Sequence, residues 1–577
     1  MTSPTFVARA RRLLAPIEGG EVRKMWPWFS VAMLYAAGCA LLALRQAFAS
    51  EYMLADDVRE HVFWMFRFVD PGLFPHDPMA DYFQSLAPAG YASLYWFLSQ
   101  LGIDPLLASK FLPAALSFIA VGYFFGLAWH FFRAHAAATL SAILFAQCLW
   151  LNSDLSSATP RAFFYPLFVA FLYYHVRGSS LGVLVAVGLE ASFFPPAALL
   201  SLGVLGWACL RWDRGPKLVS APRFFLIAAL AFGLTLLCLW PYLHDVGAFG
   251  PLVSFSEAER MPEFGPEGRV PFFLPSWWGY WVGGNGGIHN LPTRPPWFLL
   301  ALLWPVLRRY PATFPLLKMV PRGARPVPQI IGAALLLFVT AHLLLFQLYL
   351  PNRYTQATTR VILTLLAGGV ILGLLDALLL WAARRPQEIT RWHKTLLVTA
   401  AILMGAIATY PLLIPAFPAN SYIQGTAPDL YRFFARQPTS IRIASLADES
   451  DNLPTFSRRS IVAGAECAVP FHPGYYLPLR ERALEIARAQ YSDDPAVLRR
   501  CVSDLQIDYW LLDRKAFTPK YPRKSRLLRQ LRLAAPEEDL GVAHGGIPLL
   551  QKPPPASIVC QDDRYLVVDT RRLFEHR

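Results

Sequence analysis

Charge is what this sequence has least of. Only 16% of its 577 residues are Asp, Glu, Lys or Arg, against about 25% in an ordinary soluble domain. Hydrophobic residues make up 55%. That balance argues against a soluble globular chain and for a membrane protein. Acids are the scarcer sign, 39 Asp and Glu against 53 Lys and Arg, for a formal net charge of +14. The basic excess does not indicate nucleic-acid binding. It sits mainly in short connections between apolar runs and in the C-terminal region, as the positive-inside rule produces. Cysteine is sparse, with 7 in all. Cys39, Cys148, Cys209 and Cys238 fall inside apolar runs, where they serve as small hydrophobes. Cys467, Cys501 and Cys560 cannot all pair with one another, and their spacing matches no metal site. There is no P-loop, no HExxH and no GxSxG with a triad beside it. That disfavours a primary pump. There is no internal repeat, and no small-residue cleavage site follows the first apolar run, so that run is expected to stay as an uncleaved span.

Long apolar runs are what the sequence does have. They lie at 28–48, 107–132, 135–151, 162–177, 181–194, 196–211, 223–243, 296–308, 329–350, 361–382 and 394–416. Several fall short of the ~20 residues a bilayer crossing takes, so tilted or broken spans are expected. Basic stretches RARR, RWDRGPK (211–217), RRYPATFPLLKMVPRGAR (308–325) and RRPQEITRWHK (384–394) fall on alternate connections. This fixes an expected topology of about eleven spans with the N-terminus inside. The segments are 1–25 (cytoplasmic), 26–416 (membrane domain, with outer loops 49–106 and 244–295) and 417–577 (extracytoplasmic). Pro195 and Pro196 separate two half-length runs, and the charge alternation survives only if these are two short spans. After 417 the pattern is that of soluble structure. SIRIASL, RSIVAGAE, IDYWLLD and RYLVVDT read as strands, while 478–491 and 494–506 have helical periodicity. The expected fold is an α-helical polytopic membrane protein carrying a small C-terminal α/β domain.

Acids concentrate in the first outer loop. DDVREHVFWMFRF (56–68) reads as an interfacial amphipathic helix beginning at Asp56. GYASLYWFLSQLGI (90–103) reads as a second, with Tyr91, Tyr95 and Trp96 as interface anchors. Between them, Asp77 and Asp81 stand at i and i+4, a spacing that on a helix would offer both carboxylates to a divalent cation; a solvated loop with a turn-forming DP is the simpler account of them. Such a layout suits glycosyl transfer from a lipid-linked sugar. A carboxylate takes the acceptor's proton, and cationic groups stabilise the leaving phosphate.

The chain resembles the GT-C glycosyltransferases, the superfamily of the protein O-mannosyltransferases and the lipid A aminoarabinose transferases. The resemblance rests on ADD (55–57) after the first span, on residues 88–132, and on NSDLSSATPRAFFYPLFVAFLYY (152–174). It departs from the common pattern at Ala89, Gly90 and Lys110, and in the order of Asp154 before Arg161. It implies a catalytic acid at Asp56 or Asp57. Asp57 is preferred because an N-cap role would commit Asp56 to backbone amides; both acids could equally cap and solvate a helix start. Asp154 is a candidate for sugar contact and Arg161 for phosphate, or Arg161 is an interface anchor after Pro160. Arg353 and Arg360 break the charge trend on the outer side and suit a donor phosphate or pyrophosphate, or contact phospholipid headgroups. Trp277, Trp278 and Trp281 lie in a Gly-rich loop suited to stacking on sugar or acceptor, or to the lipid interface. Glu190 and Asp376 are ionisable residues within spans.

The implied partners are a polyprenyl-phosphate sugar donor, a glycan, lipid or protein acceptor, and membrane lipids, in a bacterial inner membrane. Two other functions compete: a non-catalytic scaffold that binds glycan or lipid, and a transporter. Paired, interrupted half-repeats would favour the latter, and none is detected.

Overall fold

The computed structural model describes residues 11, 14, 25–212, 216–219, 221–244, 247–288, 295–318, 326–383, 391–414, 417–418, 421–534 and 547–575. Most of the segment 1–25 and the basic stretch 384–390 thus lie outside the described residues.

Every apolar run becomes helical. The helices are α1 (Met25–Ala47), α2 (Pro105–Phe132), α3 (His135–Trp150), α4 (Phe164–Arg177), α5 (Ser180–Phe193), α6 (Pro195–Ala208), α7 (Pro222–His244), α8 (Pro326–Leu343), α9 (Asn352–Ala383) and α10 (Arg391–Leu413), with a 3-10 segment at Pro296–Leu303 running into a short helix. Six of these, α1, α2, α7, α8, α9 and α10, are long and apolar enough to cross a membrane. At about 1.5 Å per residue, α3, α5 and α6 fall short of a ~30 Å hydrocarbon core.

Local chemistry sets the boundaries. Asp104 caps α2 by accepting from the Leu106 and Leu107 amides, with Pro105 in the first turn. Such a cap contributes ~1 kcal/mol. Ser179 caps α5 through the Gly182 amide. Gly178 ends α4 at φ 74°, a left-handed conformation that costs glycine little. Phe194 is extended, and the Pro195–Pro196 pair opens α6, because proline disfavours helical geometry in the residue before it. α5 and α6 are two helices packed on each other and on α7, not one kinked rod.

Burial separates the centre of the bundle from its rim. α3 is buried along its whole length and packs on α2 and α9. The approach of α3 to α9 is so close that a Cβ at Gly368 would collide with Ser141. Small residues permit such contact between membrane helices. By contrast, α1, α7, α8 and α10 carry exposed Leu, Val, Phe and Trp side chains, as lipid-facing helices do.

The C-terminal region holds a five-stranded mixed sheet. Its strands are β3 (Arg442–Ser445), β4 (Ser460–Ile461), β5 (Tyr509–Asp513), β6 (Ile558–Gln561) and β7 (Tyr565–Asp569), in the order β4-β3-β5-β7-β6. β3 is parallel to β4 and β5, whereas β7 is antiparallel to β5 and β6. The expected strands and helices occur here. β6 follows a proline-rich stretch that gave no strand signal.

One pairing joins the two ends of the molecule. β1 (Met53–Ala55) runs antiparallel to β2 (Tyr422–Gln424), with Leu54 opposite Ile423. Tyr82 of the first loop stacks on Tyr475 of the C-terminal region, ring centroids 3.6 Å apart. The first loop is therefore packed between the helices and the C-terminal region. The expected surface helix over 56–68 is only one α-turn, Val58–His61, followed by a 3-10 helix, Phe63–Phe68. Val58, Val62, Phe63, Trp64, Met65 and Phe66 are all buried. The apolar face is satisfied by protein, not by a membrane surface. Tyr91 and Tyr95, expected as interface anchors, are likewise fully buried, and only Trp96 of that trio is exposed.

Candidate active site

The ribbon β1–β2 delivers the acid pair. The Asp56 amide extends the ladder to Ser421 O at 2.8 Å, and Asp57 follows in helical conformation just before the turn Val58–His61. The expected N-cap assignment is reversed. Asp57 occupies the N-cap position, but its side chain makes no capping bond. The Asp56 carboxylate instead pairs with Arg59. Burial and the nearby Glu466 charge push the Asp56 carboxyl above its ordinary range, against the pull of Arg59.

Asp57 opens a line of alternating charges. Arg161 Nη2 donates to Asp57 Oδ2 at 2.5 Å. Arg161 Nε lies 3.2 Å from Asp154 Oδ1. The far oxygen of Asp154 pairs with Arg360, and Arg360 Nη1 donates to Tyr165 Oη at 2.8 Å. Burial alone would raise the Asp154 pKa. The charges of Arg360, Arg161 and Arg353 outweigh it and hold this carboxyl well below the usual carboxylate range. Burial disfavours the charged form of Arg161, yet the Asp57 and Asp154 carboxylates keep it firmly protonated. Asp154 thus serves as an anchor for two guanidinium groups. Arg360, expected as a phosphate ligand, is buried and engaged by Asp154 and Tyr165.

Arg353 has no such partner. It stands in the first turn of α9, seven residues before Arg360, its guanidinium carbon 5.8 Å from the Tyr349 ring centre. Its Nε is buried without a hydrogen bond, and no carboxylate among the described residues pairs with it. A cation in that position lacks the compensation that buried charge normally requires.

Asp57, Arg161 and Arg353 share one cavity of about 520 Å³. Its polar side also presents Glu60, His61, Arg269 and Asn285, while Phe194, Pro195, Pro196, Leu239 and Tyr242 form an apolar wall. The cavity therefore joins charged groups of the loops to the lipid-facing ends of α5, α6 and α7. A smaller void beside it is lined by Asp154, Arg161, Tyr165 and Arg353.

A second ionic cluster lies behind the cavity. Buried Arg59 pairs with Asp56 and Glu466. Glu466 also receives Arg269 at 2.8 Å and Arg526 at 2.6 Å, and Arg269 reaches Glu60. Burial would raise the Glu466 pKa, but the Arg269 and Arg59 charges hold it down to about 2. Glu60 is pushed well above its ordinary value by burial, despite Arg269. This cluster locks the acid-bearing loop to the C-terminal region.

The remaining expected residues fall elsewhere. Asp77 is buried as the N-cap of the helix Pro78–Leu86, accepting from the Met79 and Ala80 amides at 2.9 and 3.2 Å. Asp81 pairs with Arg67 at 2.8 Å. The two carboxylates are spent on different partners and do not form a cation site. Among the described residues no group of three or more His, Cys, Asp or Glu side chains could hold a metal ion. The acids nearest the cavity, Asp56, Asp57 and Glu60, each face an arginine, a setting that fits a divalent cation poorly. Trp277 and Trp278 are 69% and 66% exposed and, like Trp281, do not line the cavity. Trp281 stacks on His342 of α8 with ring centroids 5.1 Å apart. Their loop reaches the cavity through Asn285 instead. Glu190 is fully buried in α5, and Asp376 pairs with Arg11 at 2.9 Å.

Glu60, His61, Arg269 and Asn285 were missed in the sequence. The first two stand within the acid-rich stretch itself. Arg269 and Asn285 carry no local signal, because long-range folding alone brings them to the cavity.

No protein-family description matches this chain, and no curated protein matches it in sequence. Solved structures do match. An Archaeoglobus fulgidus oligosaccharyltransferase tethered with an acceptor peptide superposes with a TM-score of 0.53 and 12% identity, covering 89% of this chain and 72% of that one. The archaeal oligosaccharyltransferase AglB from the same organism, in complex with an inhibitory peptide and a dolichol-phosphate, superposes with a TM-score of 0.52 and 14% identity, covering 87% and 71%. ArnT from Cupriavidus metallidurans bound to undecaprenyl phosphate has a TM-score of 0.39 at 12% identity, covering 94% and 98%. What is shared at these identities is the fold. The chain is structurally similar to the GT-C glycosyltransferases.

Proposed function

We propose that this protein is an integral membrane glycosyltransferase that moves a sugar from a polyprenyl-phosphate donor to an extracytoplasmic acceptor. The observation that carries the reading is the uncompensated Arg353 cation facing the same cavity as the Asp57 carboxylate. An unpartnered guanidinium is a ready site for phosphate. The apolar wall at Phe194, Leu239 and Tyr242 suits the first isoprene units of the donor. A structure of the similar fold holds a dolichol-phosphate, which agrees with this assignment.

The chemistry follows from the charge line. Arg161 is shared between Asp57 and Asp154. A donor phosphate entering between Arg353 and Arg161 competes for the Arg161 Nη2 that Asp57 holds. Asp154 keeps the guanidinium in place from its Nε side. Asp57 is then free to take the proton of the acceptor group as its oxygen or nitrogen bonds to the anomeric carbon. The bond from that carbon to phosphate oxygen breaks, its electron pair stays on the phosphate, and Arg353 and Arg161 stabilise the charge. Such preorganised donors contribute ~10²–10³ in rate, and a positioned base ~10²–10⁴. The displacement is direct, so the anomeric configuration inverts.

Binding of polyprenyl phosphate to the purified full-length protein tests the donor assignment. Wild type is expected to bind the phosphate but not the neutral polyprenol, and Arg353→Ala to bind at least about tenfold more weakly. Equal affinity of wild type and variant would remove the donor from this cavity.

A further inference from the structure

A second cavity, of about 680 Å³, opens in the C-terminal region and shares no residue with the one at Asp57. Its position follows from the sheet order. β3 and β5 are parallel neighbours. The chain leaving β3 goes to β4 on one side, while the chain leaving β5 goes to β7 and β6 on the other. Connections that diverge from adjacent parallel strands leave a crevice outside their carboxyl ends. In open α/β sheets, ligands bind at such switch points. Here that crevice is lined by Asp448, just beyond β3, and by Asp513 and Lys515 at the end of β5.

The lining is basic. Lys515, Lys520, Lys524 and Arg564 face it against only two acids, Asp448 and Asp513. Both acids already have partners. Asp448 Oδ1 accepts the Arg526 amide at 2.8 Å. Asp513 Oδ1 accepts the Lys515 amide at 2.8 Å, and its Oδ2 lies 3.4 Å from Arg564 Nε. None of the three lysines forms an ion pair among the described residues. Three flexible ammonium groups around a concave site focus positive potential into it. Tyr521 also lines the cavity, its hydroxyl donating to Leu446 O at 3.3 Å.

We infer that this switch-point cavity binds a soluble anionic ligand of sugar-phosphate size, with phosphate or carboxylate held by Lys515, Lys520 and Lys524. The volume exceeds what a lone inorganic anion needs and falls within the ~300–1,000 Å³ of small-molecule pockets. The inference does not depend on the glycosyltransferase reading.

The test uses full-length protein in zwitterionic nanodiscs, carrying Arg353→Ala so that the other cation-lined cavity adds nothing to the signal. Glucose 6-phosphate, glucuronate and neutral glucose are titrated calorimetrically. Saturable binding of the two anions, and none of glucose, is expected. Replacing Lys515, Lys520 and Lys524 together by Ala should weaken it at least about tenfold, replacement of all three by Arg should retain it, and Lys552→Ala should leave it unchanged. The three lysines are exposed, so folding is not at stake. Absence of saturable anion binding, or equal binding by the triple Ala variant, would overturn the inference. Nanodiscs containing phosphatidylglycerol distinguish a lipid headgroup. Unchanged affinity is expected there, and competitive loss would assign the cavity to lipid and overturn the soluble-ligand assignment.

Discussion

Arg161 donates to Asp57 across 104 residues of sequence at 2.5 Å. That contact makes the candidate base and the candidate phosphate ligand one device. Asp57 is held by the group that a donor phosphate would claim, so in the proposed mechanism the free carboxylate arises only with donor in place.

Asp154 is expected to matter for stability before activity. Its carboxylate compensates the buried Arg360. Removing one partner of a buried pair costs about 3–5 kcal/mol. Asp154→Asn should lower the melting temperature in detergent, and Asp154→Asn with Arg360→Met should recover much of the loss. A double variant no more stable than the single one would show that Arg360 is compensated in another way.

Arg353 should behave in the opposite sense. It is a half-buried cation whose Nε is buried without a hydrogen bond and which has no carboxylate partner among the described residues, so Arg353→Gln is expected to leave stability unchanged or raise it. In a transfer assay the same variant should raise KM for the donor by about tenfold or more. A large drop in melting temperature would mean that Arg353 is structural.

The bundle was legible in the sequence because lipid imposes long apolar runs, and each run became a helix. The charge alternation even separated α5 from α6 at Pro195 and Pro196. The loop was legible only in part. Val58, Val62 and Met65 showed an apolar face, but an apolar face does not say what covers it, and here protein covers it. The N-cap argument that favoured Asp57 over Asp56 does not hold, because Asp57 itself occupies the N-cap position. Asp56 is committed to Arg59, not to backbone amides. Arg353 and Arg360 looked alike in sequence. Only the fold shows that Asp154 compensates one and leaves the other facing the cavity. The ribbon β1–β2 pairs three-residue strands, too short for any alternation to register.

Asp451 gives a pH signature in the cluster between the first loop and the C-terminal region. It is buried beside Arg59 and Glu466, and burial pushes its carboxyl up to about 6. An acid whose folded pKa is raised binds its proton more tightly when folded. Its contribution to stability is therefore full below the unfolded carboxylate range and is lost as pH rises toward 6. Asp451→Asn should flatten the decline in melting temperature between about pH 4 and 6. A decline as steep in the variant as in wild type would remove Asp451 as its source. Glu466, held down to about 2, acts in the other direction: its contribution is full above the unfolded carboxylate range and is lost progressively as pH falls from about 4 to about 2.

The central claim is that Asp57 is the catalytic base in the cavity it shares with Arg353. The most direct measurement is sugar transfer by the purified full-length protein, with membrane lipid extract as donor source and mass spectrometry of the products. Asp57→Asn runs beside wild type after equal melting temperatures are established. The account predicts product from wild type, at least about a hundredfold less from Asp57→Asn, and inversion at the anomeric carbon. Undiminished transfer by Asp57→Asn, or a product of retained configuration, would contradict it.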